Sequence, residues 1–210
     1  MSCVTHTLSF SRLLESNHPD FAAFLAIYSE ALPLSEQKPR EALVTMLARR
    51  DYIFLMAHAE GVLCGFSIAY VSTAHSYYLL EYMAIAATSR NRGFGAQLYR
   101  AMRTYIAEMS AAPRCAVLEV DAPDQECEDQ AIRQRRVAFY ERCGAEVVTG
   151  LDYLLPMESN GPPPAMRLML DGEHPGNEAL CAWLADMFVH VYQRRQDDKR
   201  LLTMYQQLGK

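Results

Sequence analysis

The pattern of apolar and polar positions changes most sharply between residues 77 and 109. Residues 77–87 form an apolar run rich in aromatic and aliphatic side chains, which is typical of a strand. A polar turn over residues 88–95 follows. Apolar side chains then recur at helical spacing, at Leu98, Met102, Tyr105, Ile106 and Met109. This pattern predicts a strand, a glycine-containing loop and a helix, in that order.

Before this segment, the pattern predicts one strand, two helices and a hairpin. The predicted elements are a strand over residues 4–10, helices over 20–32 and 39–49, and strands over 51–58 and 62–72. Pro33 is expected to end the first helix. The turn Ala59-Glu60-Gly61 between the last two strands is a clear hairpin signal.

After the segment, the chain alternates between extended and helical patterns. The predicted elements are a buried strand over residues 115–120, a helix over 128–143, extended segments over 145–148, 153–157 and 166–170, and a turn over 161–164. Gly144 is expected to end the helix. Residues 121–129 hold five acidic side chains and no basic one, which favours a solvated loop. From residue 175 onward the pattern predicts an amphipathic helix, which could continue past Arg200.

Composition and charge narrow the class of protein. The chain has 210 residues, of which half are hydrophobic and 21% charged, as in an ordinary globular domain. A net charge of −5 argues against binding to nucleic acid or an anionic membrane, and suits a cationic partner. Six scattered cysteines without a C-x-x-C pair predict reduced thiols and no metal site. No signal-peptide pattern and no apolar run of membrane length occur, so we expect a cytoplasmic protein.

The loop after the central strand has the pattern Arg90-x-x-Gly93-x-Gly95. Glycines let the backbone turn tightly and approach a ligand closely. The first amides of a helix have no partner inside the helix, so with the dipole and two arginines they can bind phosphate or pyrophosphate. An ordinary turn with solvated arginines is the alternative. The loop is neither a Walker A site nor a dinucleotide fingerprint, because it lacks the Gly-Lys-Ser/Thr and the third glycine.

This loop resembles the acyl-CoA loop of the GCN5-related N-acetyltransferase (GNAT) superfamily, Gln/Arg-x-x-Gly-x-Gly/Ala. The predicted order βααβββαβαββ over residues 4–171 is also the superfamily's, and residues 137–145 are similar to its A-x-x-x-Tyr-x-x-x-Gly-Phe motif. The resemblance implies an α/β fold with a mixed, mostly antiparallel central sheet flanked by helices. It implies an acyltransferase domain over residues 1–171, followed by a C-terminal helical extension over 172–210.

The same resemblance implies acetyl-CoA as the cosubstrate, with no metal. The pantetheine would lie beside Met83, Ala84 and Ile85. The pyrophosphate would be bound by the backbone amides of Asn91, Arg92, Gly93, Phe94, Gly95 and Ala96, with Arg90 opening the motif. Backbone groups would therefore do most of the cofactor binding.

Two residues are the candidates for catalysis. The resemblance places the Tyr140 hydroxyl near the CoA sulfur, where it could protonate the leaving thiolate; packing in the core is the alternative. Glu81, a carboxylate inside an apolar strand, could accept the proton of the amine; a structural ion pair with an arginine is the alternative. Glu119 and Asp121 share one face of the next strand and are rival bases or contacts for the acceptor amine.

We therefore expect an enzyme that transfers acetyl from acetyl-CoA to a small primary amine by direct attack. The alternatives are a longer acyl donor, a protein acceptor, and a catalytically silent acyl-CoA sensor that acts through the C-terminal helix. Arg133 and Arg136 depart from the family pattern and could contact CoA, the acceptor, or the acidic loop. The apolar stripe of the C-terminal helix predicts packing within the subunit, with a homodimer contact as the alternative.

Overall fold

A computed structural model describes residues 7–112, 114–123, 129–156 and 165–210. The elements are β1 (Leu8–Leu13), α1 (Pro19–Ala31), α2 (Arg40–Ala48), β2 (Tyr52–Ala59), β3 (Val62–Val71), β4 (Tyr77–Ile85), α3 (Phe94–Met109), β5 (Cys115–Asp121), α4 (Gln130–Arg142), β6 (Glu146–Val147), β7 (Met166–Asp171), α5 (Asn177–His190) and α6 (Lys199–Gln207). Short 3-10 turns cover Leu34–Glu36 and Ala87–Ser89. The predicted order of strands and helices is confirmed.

The strands form one sheet of seven in the order β1-β2-β3-β4-β5-β7-β6. Antiparallel pairing joins β1 to β2, β2 to β3, β5 to β7 and β7 to β6, whereas β4 and β5 are parallel. A long connection through α3 makes the parallel pair possible, because parallel neighbours need a crossover. The expected mixed, mostly antiparallel sheet with flanking helices is confirmed.

The chain divides into two compact units, and β4 contributes to both. The first unit contains the chain up to Val71 together with Leu80–Ala112. Within it, α1 and α3 pack on β3, and α2 packs on β2. Phe24 of α1 is fully buried, with its ring centroid 4.8 Å from that of Phe66 and 5.8 Å from that of Phe54, both edge-on. Aromatic pairs of this kind anchor the helix on the sheet.

The hairpin between β2 and β3 follows from the backbone conformation of two residues. Glu60 and Gly61 both have positive φ, 54° and 79°. Two consecutive left-handed residues are the requirement of a type I′ turn, whose twist matches that of the flanking strands. The predicted hairpin is confirmed, with a loop of two residues rather than three.

Gly65 of β3 lets the neighbouring strand approach closely. A Cβ atom at this position would lie 2.8 Å from the carbonyl oxygen of Ala84 and 2.5 Å from Cδ1 of Ile85. The amide of Ala86 donates to the Cys64 carbonyl at 2.9 Å, which holds the end of β4 against β3. The glycine therefore fixes the position of residues 84–86.

The second unit contains Ser72–Leu79 and the chain beyond Ala112. Its strands are the start of β4, then β5, β7 and β6, and α4 packs on β5. The ring of Tyr77 stacks on Trp183 of α5, with centroids 5.1 Å apart. Its hydroxyl donates to the buried carboxylate of Asp186 at 2.6 Å. These contacts attach the C-terminal helices to the sheet of this unit.

The expectation that one helix from residue 175 could continue past Arg200 is wrong. Helix α5 ends at His190 and a separate α6 begins at Lys199. Gln193 has a left-handed φ of 54°, which a continuous helix cannot contain. The carboxylate of Asp198 accepts from the Arg200 amide at 2.9 Å and so caps the start of α6.

Other boundaries differ by a few residues. Strand β1 runs on to Leu13, while residues 4–6 of its predicted span lie outside the described residues. In the predicted extended segment 153–157, Tyr153 makes an isolated bridge to Met166. The predicted turn at 161–164 and most of the acidic loop, residues 124–128, also lie outside the described residues. In the described ranges, no helix combines the length and apolarity needed to cross a membrane.

We expect Gly65→Ala to lower the free energy of unfolding by about 1–3 kcal/mol, because the added methyl group overpacks the contact with a backbone carbonyl. Urea denaturation would measure the loss. Val62→Ala, at an exposed position of the same strand, is the matched control and should change stability little. Equal stability of Gly65→Ala and the wild type would contradict the close approach.

Candidate functional site

The loop after β4 returns toward the strand that precedes it. Nε of Arg90 donates to the carbonyl of Ile85 at 3.1 Å, which closes the turn. Asn91 and Gly93 have left-handed φ values of 63° and 75°. The predicted strand, glycine loop and helix are confirmed, and the first glycine of the motif is required by its backbone conformation.

Helix α3 begins at Phe94 with an exposed end. Gly93 is its N-cap, no side chain caps it, and its first turn holds no acidic residue. Asn91, Arg92 and Gly93 are exposed, and a Cβ on Gly93 would meet no atom within 4 Å. The first amides of a helix lack intrahelical partners and carry the positive end of the dipole. This end of α3 therefore suits an anion, with space for a ligand to approach.

The strand before the loop carries the three residues expected beside the pantetheine. Ala84 is buried, and Met83 and Ile85 are half-buried. Among the described residues, the register of β4 with β5 covers Tyr77 to Leu79. Met83, Ala84 and Ile85 lie beyond that ladder. Their backbone is positioned by the contact with Gly65 described above.

Glu81 lies on the same strand, and its carboxylate is paired. Its side chain is only 5% exposed, and Nζ of Lys38 lies 2.9 Å from Oε1. Lys38 comes from the segment between α1 and α2, and its side chain is 30% exposed. The ion pair expected as the structural alternative is present, but its cation is a lysine and not an arginine. Pairing explains how a carboxylate is tolerated inside the unit.

Two tyrosines hold Lys38 and its neighbours in place. The hydroxyl of Tyr28 accepts from the Lys38 amide at 2.8 Å, and the hydroxyl of Tyr82 donates to the Glu36 carbonyl at 3.2 Å. Nζ of Lys38 lies 5.8 Å from the centroid of the Tyr82 ring, within the range of a cation–π contact. The two tyrosine rings meet edge-on, 5.4 Å apart. The ammonium therefore lies between a carboxylate and an aromatic face.

Burial, followed by the charge of Glu81, raises the pKa of both Tyr52 and Tyr82 above the usual value. Both phenols are therefore neutral at physiological pH. Two uncharged phenols therefore lie close enough to interact with the Glu81 carboxylate, and Lys38 balances its charge.

Tyr140 lies on α4, in the second unit. The side chain is half-buried, and its ring meets that of Phe139 edge-on at 5.1 Å. Burial raises its pKa to about 12, partly opposed by the charge of Arg136. The hydroxyl therefore keeps its proton at neutral pH, as a proton donor must.

The rival carboxylates on β5 are both engaged within the second unit. Glu119 accepts hydrogen bonds from the hydroxyls of Tyr153 and Tyr192. Asp121 accepts from Arg136 at 2.7 Å. Arg136 thus pairs with the first residue of the acidic segment, which was one of the contacts expected for it.

Sequence reasoning missed several residues of this region, chiefly Lys38, Tyr82 and Gly65. An isolated glycine inside a strand pattern indicates a close backbone approach, so Gly65 could have been found. Lys38 is one of only three lysines, beside seventeen arginines, but nothing in its local pattern points to Glu81. No group of side chains suited to a metal ion occurs within the described ranges.

We expect Lys38→Met to lower the free energy of unfolding by about 1–3 kcal/mol, because it leaves a buried carboxylate without its cation. Glu81→Gln in the same chain should recover much of the loss, and a double-mutant cycle by urea denaturation measures the coupling. Arg195→Met is the matched control: it breaks an ion pair whose side chains are 86% and 65% exposed, and should leave the midpoint unchanged. Additive effects of the two substitutions at Lys38 and Glu81 would contradict the pair.

A family model described as an acetyltransferase (GNAT) domain matches residues 50–144. No curated protein sequence matches the chain. A solved protein described as a GNAT-family acetyltransferase from Bacteroides thetaiotaomicron is similar with a TM-score of 0.70 and 22% identity, covering 88% of this chain and 98% of its own.

Two further solved structures are similar at lower scores. An aminoglycoside 6′-N-acetyltransferase complexed with coenzyme A has a TM-score of 0.60 at 18% identity, over 80% of this chain and 99% of its own. The ribosomal-protein-S18-alanine N-acetyltransferase from Escherichia coli has a TM-score of 0.55 at 17% identity, over 78% and 92%. At these identities the likeness is one of fold. The GNAT acetyltransferase domain model thus matches residues 50–144, and the order of elements and the fold of the similar structures agree with that match.

Proposed function

We propose that the protein transfers the acetyl group of acetyl-CoA to a primary amine of a small molecule, in a catalytic domain over residues 1–171. The observation that carries the proposal is the exposed, glycine-capped start of α3 directly after β4. Residues 172–210 are the C-terminal extension, whose helices complete the second unit.

The residues at this helix start fit the pyrophosphate of CoA. Gly93 has open space in front of it, and Arg90 and Arg92 supply positive charge beside the helix amides. The amides of residues 91–96 would hold the pyrophosphate, and the backbone of Met83, Ala84 and Ile85 would hold the pantetheine. Bound acetyl-CoA supplies a thioester whose carbonyl carbon is the electrophile.

Two residues would move protons in this scheme. Glu81 would accept a proton from the acceptor ammonium, directly or through water, since an alkyl amine with a pKa of about 10 is almost fully protonated at neutral pH. Tyr140, with its pKa raised to about 12, would donate a proton to the departing sulfur. A main-chain amide of β4 would stabilise the developing oxyanion.

Direct attack by the amine is favoured over a covalent acyl-enzyme. Cys64, Cys115 and Cys181 are buried, and burial raises the pKa of the Cys64 and Cys181 thiols. A thiol with a raised pKa is a poor nucleophile, because the thiolate is the reactive form. An acyl group carried on these cysteines is therefore disfavoured.

The acceptor is inferred from charge and surroundings. The Glu81 carboxylate among tyrosine rings suits an ammonium group, and the chain carries a net charge of −5. One similar structure is an aminoglycoside acetyltransferase, which favours a small polyamine-like acceptor. Another is a ribosomal-protein-S18-alanine N-acetyltransferase, and a protein acceptor is the alternative.

One observation favours a second candidate, a catalytically silent acyl-CoA sensor. Lys38 already occupies the carboxylate that an acceptor would need. A screen of amines with acetyl-CoA, following free thiol release, separates the two. Turnover of about 1 s⁻¹ or more with any amine excludes the sensor, and no release across a broad screen with intact CoA binding excludes the enzyme.

We expect acetyl-CoA to raise the melting temperature of the wild type by mass action, and Gly93→Ala to abolish that rise. The added side chain strains a backbone with φ of 75° and places a methyl group at the helix start. Gly150→Ala is a matched control, since Gly150 has the same φ and equally open surroundings. Gly150→Ala should lower stability by a similar amount and leave the melting-temperature rise with acetyl-CoA intact. An undiminished rise in folded Gly93→Ala contradicts the assignment of the loop.

We expect Tyr140→Phe to lower turnover about 10²-fold if the hydroxyl protonates the leaving thiolate. Because its pKa is about 12, activity that depends on this acid should persist through mildly alkaline pH and fall only as pH approaches that value. The variant should lose this alkaline limb and keep the melting-temperature rise with acetyl-CoA. Phe139→Leu, at the preceding residue of the helix, controls for packing. Wild-type turnover in Tyr140→Phe would leave Tyr140 with a packing role alone.

A further inference from the structure

The ion pair at Glu81 places an amine of the chain itself at the candidate base. Nζ of Lys38 lies 2.9 Å from the Glu81 carboxylate and faces the Tyr82 ring at 5.8 Å. A carboxylate with an aromatic neighbour is also the arrangement proposed above for an acceptor ammonium. Lys38 therefore has the chemistry and the position of a substrate amine.

The backbone around Lys38 is fixed by several hydrogen bonds. Its amide donates to the Tyr28 hydroxyl, and the Tyr82 hydroxyl donates to the carbonyl of Glu36. Nε2 of Gln37 donates to the carbonyls of Leu32 and Ser29 at 2.7 and 3.1 Å. The side chain is thus presented to Glu81 by an ordered segment.

The distance along β4 is short enough for acetyl transfer. Glu81 and Met83 lie on the same face of the strand, because side chains alternate with a period of two. Their Cα atoms are roughly 7 Å apart at the usual rise of a strand. Met83 begins the stretch proposed to hold the pantetheine, so the Lys38 amine lies near the place proposed for the thioester.

We propose that Lys38 is an acetyl acceptor within the same chain, modified by the protein's own active site when acetyl-CoA is bound and no other amine is present. The inference rests on the proposed function, since it uses the same acetyl donor and the same base. It assigns a modification site to a residue outside the acetyltransferase motifs.

The reaction balances without a further reagent. Glu81 takes one proton from the Lys38 ammonium, and the free amine attacks the carbonyl carbon of the thioester. A bond forms between Nζ and that carbon, the bond between carbon and sulfur breaks, and the second proton leaves with the sulfur as CoA thiol. Acetyl-lysine, thiol and one released proton are the products.

The product changes the charge at Glu81. Acetylation removes the positive charge of Lys38, and with it the ion pair. The buried carboxylate is then left to an external ammonium, which gains a favourable partner by binding there. Modification of Lys38 would therefore convert a self-occupied site into one available to a cationic acceptor.

The test is to incubate the wild-type protein with acetyl-CoA alone and to locate added acetyl groups by peptide mass spectrometry. The chain has three lysines, so Lys199 and Lys210, both exposed, are internal controls. We expect acetylation at Lys38 well ahead of the other two, with a rate constant that does not change with protein concentration. Glu81→Gln should slow the modification of Lys38 by about tenfold or more, and Lys199→Arg should not affect it.

Chemical acetylation with acetic anhydride should modify the three lysines in the opposite order. Lys38 is ion-paired and only 30% exposed, so the anhydride should modify Lys199 and Lys210 first. A reversal of order between the two donors is the expected sign of a reaction in the site. A readout independent of catalysis is stability: the acetylated protein and Lys38→Gln should share the same lowered urea midpoint.

Several outcomes would overturn the proposal. If acetyl-CoA modifies the three lysines equally, or modifies Lys199 and Lys210 before Lys38 as the anhydride does, the acetylation is only chemical. A rate that rises with protein concentration shows transfer between molecules. If added amines are turned over but Lys38 stays unmodified when acetyl-CoA is supplied alone, this inference is removed and the proposed function is kept. Acetyl-CoA that neither raises the melting temperature nor modifies Lys38 removes both.

Discussion

The close contact between β3 and β4 at Gly65 is the constraint on which the candidate site depends. Any side chain there would meet the Ala84 carbonyl, so only a glycine lets the two backbones lie at this distance. The end of β4 sets the direction in which the loop leaves the strand, and Arg90 returns to that end through the Ile85 carbonyl. The orientation of the first turn of α3 follows from these contacts. A residue that touches no ligand thus determines where the anion-attracting helix end is presented.

The first unit handles charge in two opposite ways. At the start of α3 it leaves a positive helix end exposed, with arginines beside it and no acidic residue in the first turn. At Glu81 it buries a negative charge and neutralises it with Lys38 from another segment. The exposed end costs little because water solvates it, whereas the buried carboxylate needs a partner in every state of the protein. Any other cation that binds at Glu81 must therefore replace Lys38 as its partner.

Much of the fold could be predicted from local pattern. The strand before the loop, the hairpin at Glu60 and Gly61, and the end of α4 just before Gly144 are each specified by neighbouring residues. The break between α5 and α6 was missed, because a left-handed Gln193 has no sequence signature as strong as glycine. Of the candidate site, the loop and Glu81 were found from their residue types. The partner of Glu81 was not found, because Lys38 reaches it through a tertiary contact that leaves no periodic pattern in the sequence.

The contacts of the C-terminal helices bear on where this chain can be shortened. Asp186 accepts from the buried Tyr77 hydroxyl, Trp183 covers the Tyr77 ring, and Tyr192 donates to Glu119 of β5. These residues form hydrogen bonds to polar groups of the strands that water would otherwise make, so they complete the interior of the second unit. A protein cut before Asn177 would expose aromatic surface and leave a carboxylate of the sheet with one tyrosine fewer. Helices that follow the last strand are here as much a part of the folding unit as the strands they cover.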